Sequence, residues 1–286
     1  MAITKSTQTV WVSHSSISDF LKCPRSYYLR NVLKSKATNR KMTIMTPPLA
    51  LGQAVHEALE ALSLLPKDER FKTPLMDKFE DVWGKVTGKK GGFKNAAEEE
   101  EYKERGRKMI LRVLESPGIL LNKAVRIKPR SEKDRLSNFD LPYYKISEED
   151  NITLCGKIDW LEYLEEENTV HIVDFKTGKN EEDQASLQLP IYYLLAKNCQ
   201  SFNVSRASYW YIDREDKPKQ VSLPDEKEAK ESVLEIAKRI KLTRQLQLFK
   251  CPRDGCFSCL PYEAVLRGSG ECVGVSQTNQ DIYILL

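Results

Sequence analysis

Apolar side chains recur at intervals of three and four residues in several stretches of this chain, and that spacing places them on one face of an α-helix. The stretch that includes Leu51, Val55 and Leu62 shows the pattern clearly and stops before Pro66, a residue type that ends helices. Helices are therefore predicted over residues 16–33, 49–65, 187–198 and 226–249. Two more are predicted between residues 71 and 114, separated by a loop at residues 87–92.

A second pattern begins near residue 124, where short apolar runs alternate with polar turns. It predicts strands over residues 143–146, 152–155, 158–164, 170–175 and 205–212. The succession of helices, strands, a helix, a strand and a final helix indicates an α/β fold with a mixed central sheet flanked by helices. The helical stretch between residues 66 and 120 is predicted to be an insertion on that core.

Length and composition are those of a globular protein. The chain has 286 residues, of which 41% are hydrophobic, so it is able to bury a substantial core. No apolar run approaches the roughly 18 residues that a membrane span needs, and the first residues lack the apolar stretch of a secretory signal. We therefore expect no membrane association and a cytoplasmic location.

The charge of the chain is nearly balanced, since 45 basic residues stand against 41 acidic ones and give a net charge of +4. This excess is too small to indicate a nucleic-acid partner by itself. Its distribution is uneven, because a basic run lies between Lys123 and Arg135, where six basic residues stand against two acids, Glu132 and Asp134. The run fits a solvated edge strand as well as a strip that contacts phosphates.

Acidic residues stand at the ends of two predicted neighbouring strands. Asp159 closes the sequence Gly-Lys-Ile-Asp, and Asp174 begins Asp-Phe-Lys-Thr-Gly. Asp174 and Lys176 are two residues apart, so the alternation of a strand directs both side chains to the same face. A divalent cation held by such carboxylates can activate water for phosphodiester hydrolysis, and the lysine can orient that water or remove its proton. An isolated Asp-x-Lys at a turn, however, is common without any function.

Four motifs follow one another along the chain: Gly52-Gln-Ala-Val-His56-Glu, Gly156-Lys-Ile-Asp159, Asp174-Phe-Lys176-Thr-Gly and Gln188-Leu-Pro-Ile-Tyr192. With these motifs in this order, the chain closely resembles the RecB-like branch of the PD-(D/E)XK nucleases, which includes CRISPR-associated adaptation nucleases and the nuclease domains of recombination helicases. The resemblance extends from about residue 15 to about residue 275. It implies a restriction-endonuclease-like core fold.

The resemblance also implies roles for individual residues. Asp159, Asp174 and Lys176 would be catalytic, and the two aspartates would bind Mg²⁺ or Mn²⁺ together with His56 and the backbone carbonyl of Phe175. A histidine on an apolar helix face is otherwise more often a core residue. Gln188 and Tyr192 are four residues apart on one predicted helix face, from which they could reach DNA or the lysine, and the Tyr192 ring could equally pack into the core.

Cysteines are concentrated at the two ends of the chain. Their number, seven, is odd, and this favours metal binding or burial over a disulfide framework. Cys251, Cys256 and Cys259 have a tight spacing that brings three thiolates around one metal. By the resemblance, Cys23 would supply the fourth ligand of a 4Fe-4S cluster.

Two alternatives stay open for this cluster. Related clusters often use a C-x2-C-x5-C spacing at the C-terminal end, and here position 265 is valine. Cys272 could therefore replace Cys251, and Zn²⁺ could replace the iron–sulfur cluster. The remaining Cys155 and Cys199 fit burial as small apolar residues.

The chain is thus predicted to comprise an N-terminal helix segment (1–48), a helical region with His56 (49–120), the nuclease core (121–248) and a cysteine-cluster region (249–286) packed on the first segment. The resemblance implies a metal-dependent deoxyribonuclease, an exonuclease on single strands or duplex ends, acting in repair, recombination, phage replication or CRISPR adaptation. A helicase or CRISPR adaptation proteins are candidate partners. The alternative is a non-catalytic DNA-binding or scaffolding module on the same fold.

Overall fold

The structure is a computed structural model that describes residues 9–72, 74–127 and 141–286. Most of the predicted basic run, from residue 128 to residue 135, lies outside the described residues. The helices are α1 (His14–Lys22), α2 (Pro24–Tyr27), α3 (Pro47–Ala61), α4 (Leu75–Trp83), α5 (Ala96–Glu115), α6 (Gln188–Cys199), α7 (Glu226–Leu246) and α8 (Leu260–Leu266). The strands are β1 (Val10–Val12), β2 (Met42–Ile44), β3 (Tyr143–Ser147), β4 (Ile152–Cys155), β5 (Trp160–Leu164), β6 (Thr169–Lys176), β7 (Asn203–Tyr211), β8 (Lys219–Val221), β9 (Gly270–Val275) and β10 (Asp281–Leu285).

Within the described residues the strands form three sheets, with the orders β5-β6-β7-β8, β1-β4-β3 and β2-β10-β9. The four-stranded sheet is mixed, because β6 pairs antiparallel with β5 and parallel with β7. The predicted α/β class, with mixed sheets flanked by helices, is confirmed. Two of the predicted core strands lie outside the four-stranded sheet, because β4 pairs with β3 and with the N-terminal β1.

Both faces of the four-stranded sheet are covered, which explains why β6 is buried from Val170 to Phe175 without polar alternation. Ile172 belongs to a core that includes residues of α1, α6 and α7. Val173 belongs to a second core formed with α3, α4 and α5. The helical stretch that the sequence predicted as an insertion therefore supplies one of the two layers around the sheet.

The first predicted helix, over residues 16–33, is wrong as a single element. The structure has α1, an extended Cys23, α2 and a wide helical turn at Tyr28–Val32. Pro24 explains the break, since proline lacks an N–H donor and forces the preceding residue into an extended conformation. Cys23 then caps α2, and its sulfur accepts a hydrogen bond from the Ser26 amide at 3.5 Å. The break turns the thiol towards the C-terminal cysteines.

The two ends of the chain meet in the third sheet, which the sequence did not predict. The N-terminal β2 pairs in parallel with β10, and β10 forms a hairpin with β9. Arg40 and the buried Asp281 form an ion pair at 3.2 Å across this junction. Sequence periodicity misses such short strands because only their pairing with a distant segment stabilises them. In the described part of the chain, the helices are too short or too polar to cross a membrane.

A buried polar network crosses the four-stranded sheet. His171 contacts Glu162 at 2.7 Å through Nδ1 and the Ser208 hydroxyl at 2.8 Å through Nε2. All three side chains are buried, and Ser208 is only 2% exposed. The hydroxyl is thus closed off from any substrate, and the network satisfies polar groups that the packed helices exclude from water.

Arg70 joins the end of α3 to the segment before the core strands. Its buried guanidinium donates hydrogen bonds to the carbonyls of Leu62, Leu65, Leu120 and Asn122. We expect Arg70→Ala to lower the free energy of unfolding by about 3 kcal/mol, because several buried carbonyls lose a charged donor. Chemical denaturation measures this loss.

The control for Arg70 is the exposed Arg206, which pairs with Glu167 at the surface. Arg206→Ala should change the free energy of unfolding by less than about 1 kcal/mol. Equal losses in the two variants would show that the Arg70 contacts do not stabilise the fold.

Candidate active site and cysteine cluster

Two adjacent strands bring the predicted acids together. Trp160, at the start of β5, pairs with Val173 in β6, so the next position along the ladder sets Asp159 beside Asp174. The backbone N–H of Phe175 donates to Oδ2 of Asp159 at 2.9 Å, which holds the Asp159 carboxylate against the chain next to Asp174. Asp174 is buried, and the Asp159 side chain is only 9% exposed.

His56 on α3 also lies beside Asp159. Its Nδ1 atom lies 3.3 Å from Oδ2 of Asp159. Glu60 is one helical turn further on the same face of α3. Ligand atoms of His56, Glu60 and Asp159 all lie within 4.8 Å of one another, a group with the spacing and donor types to hold a metal ion.

Lys176 lies two residues after Asp174 on β6, and three polar side chains surround its ammonium group. Its Nζ atom lies 3.0 Å from Oδ2 of Asp174 and 2.6 Å from Oε2 of Glu182, and it also donates to the amide oxygen of Gln188. The Glu182 backbone N–H in turn donates to the Tyr211 hydroxyl at 3.0 Å. The ammonium group therefore has a set position beside the carboxylate pair.

Gln188, the first residue of α6, connects the acid and the lysine. While its oxygen accepts from Lys176, its Nε2 donates to Oδ1 of Asp174 at 2.9 Å and to the hydroxyl of Tyr192 at 3.2 Å. Gln188 and Tyr192 are both buried. The Gln188 amide contacts Lys176, which is one of the two contacts that the sequence predicted for it. Contact of Gln188 and Tyr192 with DNA stays a prediction.

His56 and Asp159 shift each other's pKa values. Burial alone would lower the pKa of His56, but the neighbouring Asp159 carboxylate outweighs burial and raises the pKa to about 9. Burial would raise the pKa of Asp159, and the contact with His56 instead holds it below the usual range. The two residues form an ion pair at neutral pH.

Asp174 has the opposite shift. Burial, and then the charge of Asp159, raise the pKa of Asp174 to about 7. Its Oδ2 atom is buried and makes no hydrogen bond, although Lys176 is near it. A buried carboxylate oxygen without a hydrogen bond, beside a second acid, is the arrangement that a divalent cation stabilises. Asp174 is not part of the close group of His56, Glu60 and Asp159, but it lies next to Asp159 on the strand ladder. The oxygen and imidazole atoms of these four residues are donor types that Mg²⁺ or Mn²⁺ binds.

Residues of α5 and α3 contact the loop after Lys176. Arg105 on α5 forms two bonds with Asp213, at 3.0 and 2.9 Å, and donates to the Thr177 carbonyl at 3.0 Å. Gly52 on α3 packs closely on the same loop, since a Cβ atom there would lie 3.3 Å from Oγ1 of Thr177. These contacts fix the strand end that carries Lys176.

Sequence reasoning missed Glu60 and Glu182. The spacing of four residues from His56 was a usable signal for Glu60, because it places both on one helix face. Glu182 had none, since it lies in an irregular loop that only the fold brings to Lys176. Glu57, which follows His56 in its motif, accepts hydrogen bonds from Lys85 and Gln277.

Four cysteines form a second group of close ligand atoms. The sulfurs of Cys23, Cys251, Cys256 and Cys259 all lie within 4.8 Å of one another, and all four residues are buried. Cys272 is exposed on β9 and lies outside this group. Of the two predicted ligand sets, the structure therefore assembles the one with Cys251.

Backbone N–H groups donate hydrogen bonds to the sulfurs of this group. Gly255 N–H donates to the Cys251 sulfur and Cys256 N–H to the Cys259 sulfur, each at 3.3 Å. Nearby, Arg25 pairs with Glu263, and the Ser26 hydroxyl donates to the Ser258 carbonyl at 2.9 Å. The cluster thus joins the N-terminal segment to the C-terminal one. Four buried thiols with amide donors are a donor set suited to a soft metal centre.

Comparison with known proteins gives one family. The model of the family described as PD-(D/E)XK nuclease superfamily matches residues 11–264, which is most of the chain. No curated protein matches the chain.

Proposed function

Because the chain belongs to the PD-(D/E)XK nuclease superfamily, we propose that it is a deoxyribonuclease that hydrolyses phosphodiester bonds with Mg²⁺ or Mn²⁺ at Asp159 and Asp174. One observation carries the proposal: two adjacent acids, both largely withdrawn from solvent, share a site with a fixed lysine and a histidine. Acids held this closely repel each other, and they persist where a cation offsets their charge.

The bound cation would supply a more acidic water molecule and neutralise charge on the phosphate. Asp159, Asp174, His56 and Glu60 would hold it, with the Phe175 carbonyl as a further candidate ligand. Lys176 has a different task. Although burial opposes its charge, the Asp174 and Glu182 carboxylates raise the pKa of Lys176, so the side chain keeps its proton at neutral pH. We propose that it donates hydrogen bonds to the phosphate or the attacking water and does not act as the base.

Metal binding at this site should release protons, because a histidine must be neutral to ligate a metal. With pKa values of about 9 for His56 and about 7 for Asp174, both groups hold a proton at pH 6, and at pH 8 mainly His56 does. We expect about one proton released per Mn²⁺ at pH 8, approaching two at pH 6, so the affinity for Mn²⁺ falls as the pH falls. Calorimetric titration in buffers of different ionisation enthalpy measures the number.

His56→Gln is the matched variant for this measurement, and it should lose the proton released at pH 8. A wild-type protein that binds Mn²⁺ at pH 8 without releasing a proton would show that His56 is not displaced from its ion pair by the metal. His56 would then lie outside the ligand set.

The substrate and mode of action follow from the resemblance to the RecB-like branch. We propose exonuclease action on single strands or duplex ends in repair, recombination, phage replication or CRISPR adaptation, with a helicase or adaptation proteins as candidate partners. DNA labelled at one end tests the mode: an exonuclease should release short labelled products from that end from the start, only with Mg²⁺ or Mn²⁺. Internal fragments from circular DNA would contradict end-dependent action.

For the four cysteines we propose a 4Fe-4S cluster, and this proposal rests on the resemblance to that branch alone. Zn²⁺ is the second candidate, and it rests on the geometry, because the sulfur separations fit one metal ion. Metal–sulfur bonds of about 2.3 Å in a tetrahedron put the sulfurs about 3.8 Å apart. The sulfurs of Cys256 and Cys259 are 3.6 Å apart. Metal analysis and visible absorption of anaerobically purified protein decide between them: a colourless protein with one zinc per chain would exclude the iron–sulfur cluster.

A further inference from the structure

A groove of about 270 Å³ opens beside the cysteine cluster. Its lining includes Phe257, a residue that is 77% exposed and so contributes little to the folded core. An exposed aromatic ring at a groove is a common feature of surfaces that bind a partner. The groove is lined by Leu21, Lys22, Pro252, Arg253, Cys256 and Phe257.

The charge of this groove selects among partners. Within the described part of the chain, Lys22 and Arg253 line it and no carboxylate does. Asp254 follows Arg253 in the chain but is not part of the lining. A positive groove with an exposed aromatic ring combines phosphate attraction with a platform on which an unpaired base can stack. A duplex keeps its bases paired and stacked inside, so this combination fits a single strand better.

Helix α1 connects the groove to the candidate active site. His14, at its first turn, interacts electrostatically with Glu182 and Lys176. Lys22, at its last turn, lines the groove. The two ends are separated by about 12 Å, given the rise of 1.5 Å per residue.

One face of α1 is partly exposed along this length. His14, Ser18 and Lys22 follow each other at intervals of four residues, which places them on the same face, and none of them is buried. The acid of this helix, Asp19, is buried and pairs with Arg30. The face between the groove and the catalytic lysine is therefore polar or basic.

We propose that the groove and this face of α1 bind one DNA strand, with a base stacked on Phe257 and the backbone running towards Lys176. The direction of the strand rests on the proposed nuclease function, and the binding itself does not. At about 3.4 Å per nucleotide or more, the path from the groove to the site accommodates up to about four nucleotides.

Fluorescence anisotropy with a labelled single strand of roughly 20 nucleotides, in the absence of divalent metal, tests the binding. The intact protein is used, and the metal content of each variant is measured first. We expect Phe257→Ala and Phe257→Leu to weaken binding about tenfold and Phe257→Trp to retain it, since stacking needs an aromatic ring. Leu64→Ala, at an exposed apolar residue that does not line the groove, is the control.

Salt dependence tests the contribution of the cations. Arg253→Ala should reduce the slope of log affinity against log salt by about 0.7, the value for one phosphate contact to a single strand. Lys227→Ala, at an exposed lysine that does not line the groove, should leave the slope unchanged. Equal slopes in wild type and Arg253→Ala would contradict a phosphate contact in the groove and overturn the proposal.

The outcomes separate this inference from the proposed function. Loss of strand binding in Phe257→Ala and Phe257→Leu supports the inference even if no cleavage occurs. If the protein cleaves DNA and every variant binds it like wild type, the inference fails and the nuclease function stands. Retention of full affinity by Phe257→Leu also overturns base stacking, and the groove is then an apolar docking site for a protein.

Discussion

Replacing Asp174 with asparagine is expected to reduce metal-dependent DNA cleavage by at least about a thousandfold, because a catalytic cation contributes several kcal/mol and each 1.4 kcal/mol is a factor of ten. The amide retains the size of the side chain and can still contact Gln188, so the change removes mainly the charge. Gel assays with end-labelled DNA and Mn²⁺ measure the loss. Lys176→Met should also be severely impaired, since it removes the ammonium while keeping the length.

Folding must be distinguished from chemistry in these variants. The carboxylate of Asp174 is buried with a pKa raised to about 7, so above that pH its charge destabilises the metal-free fold. The Asp174→Asn variant lacks this charge, and we expect its Tm at pH 8 to be no lower than that of wild type. Asp216→Asn, at an exposed acid paired with Arg112, is the control for activity. Cleavage by Asp174→Asn at the wild-type rate would defeat the catalytic assignment and favour a non-catalytic DNA-binding module.

Replacing Cys23 with serine is expected to lower the free energy of unfolding by roughly 5 kcal/mol, the entropy of closing a loop of about 230 residues. The physical reason is connectivity: Cys23 lies in the N-terminal segment, and its three neighbours lie near the C-terminus. A metal bound by all four thiolates holds these segments together, and loss of one ligand releases that constraint. Denaturant unfolding with parallel metal analysis measures both effects.

Cys272→Ser is the matched control for the cluster. Cys272 is exposed and lies outside the four-cysteine group, so the variant should keep its metal and its stability. Loss of metal in Cys272→Ser, with retention in Cys251→Ser, would reverse the choice of ligand. Because Cys23→Ser leaves Asp159, Asp174 and Lys176 in place, any folded fraction should still cleave DNA. A complete loss of activity in well-folded Cys23→Ser would instead give the cluster a role in substrate binding or hydrolysis.

Several features of this protein followed from local sequence patterns. Successive side chains of a strand point to opposite faces, and this rule correctly predicted that Asp174 and Lys176 share one face of β6. The spacing of apolar residues predicted the ends of α3 and α6 to within a few residues. The four motifs pointed to the superfamily that now accounts for residues 11–264. These features were readable because strand and helix periodicity are properties of consecutive residues.

Contacts between distant segments were decided by the tertiary structure alone. The packing of α3 against β6 brings Glu60 near Asp159, and the loop after β6 brings Glu182 to Lys176. The pairing of β2 with β10, and the break after Cys23 that turns its thiol to Cys251, assemble the cluster without Cys272. The sequence by itself determined most of the core helices and strands and the reactive residue types, but not the break after Cys23 or the third sheet. The geometry of the site depended on how helices and strands pack across long loops, and local periodicity carries no information about that packing.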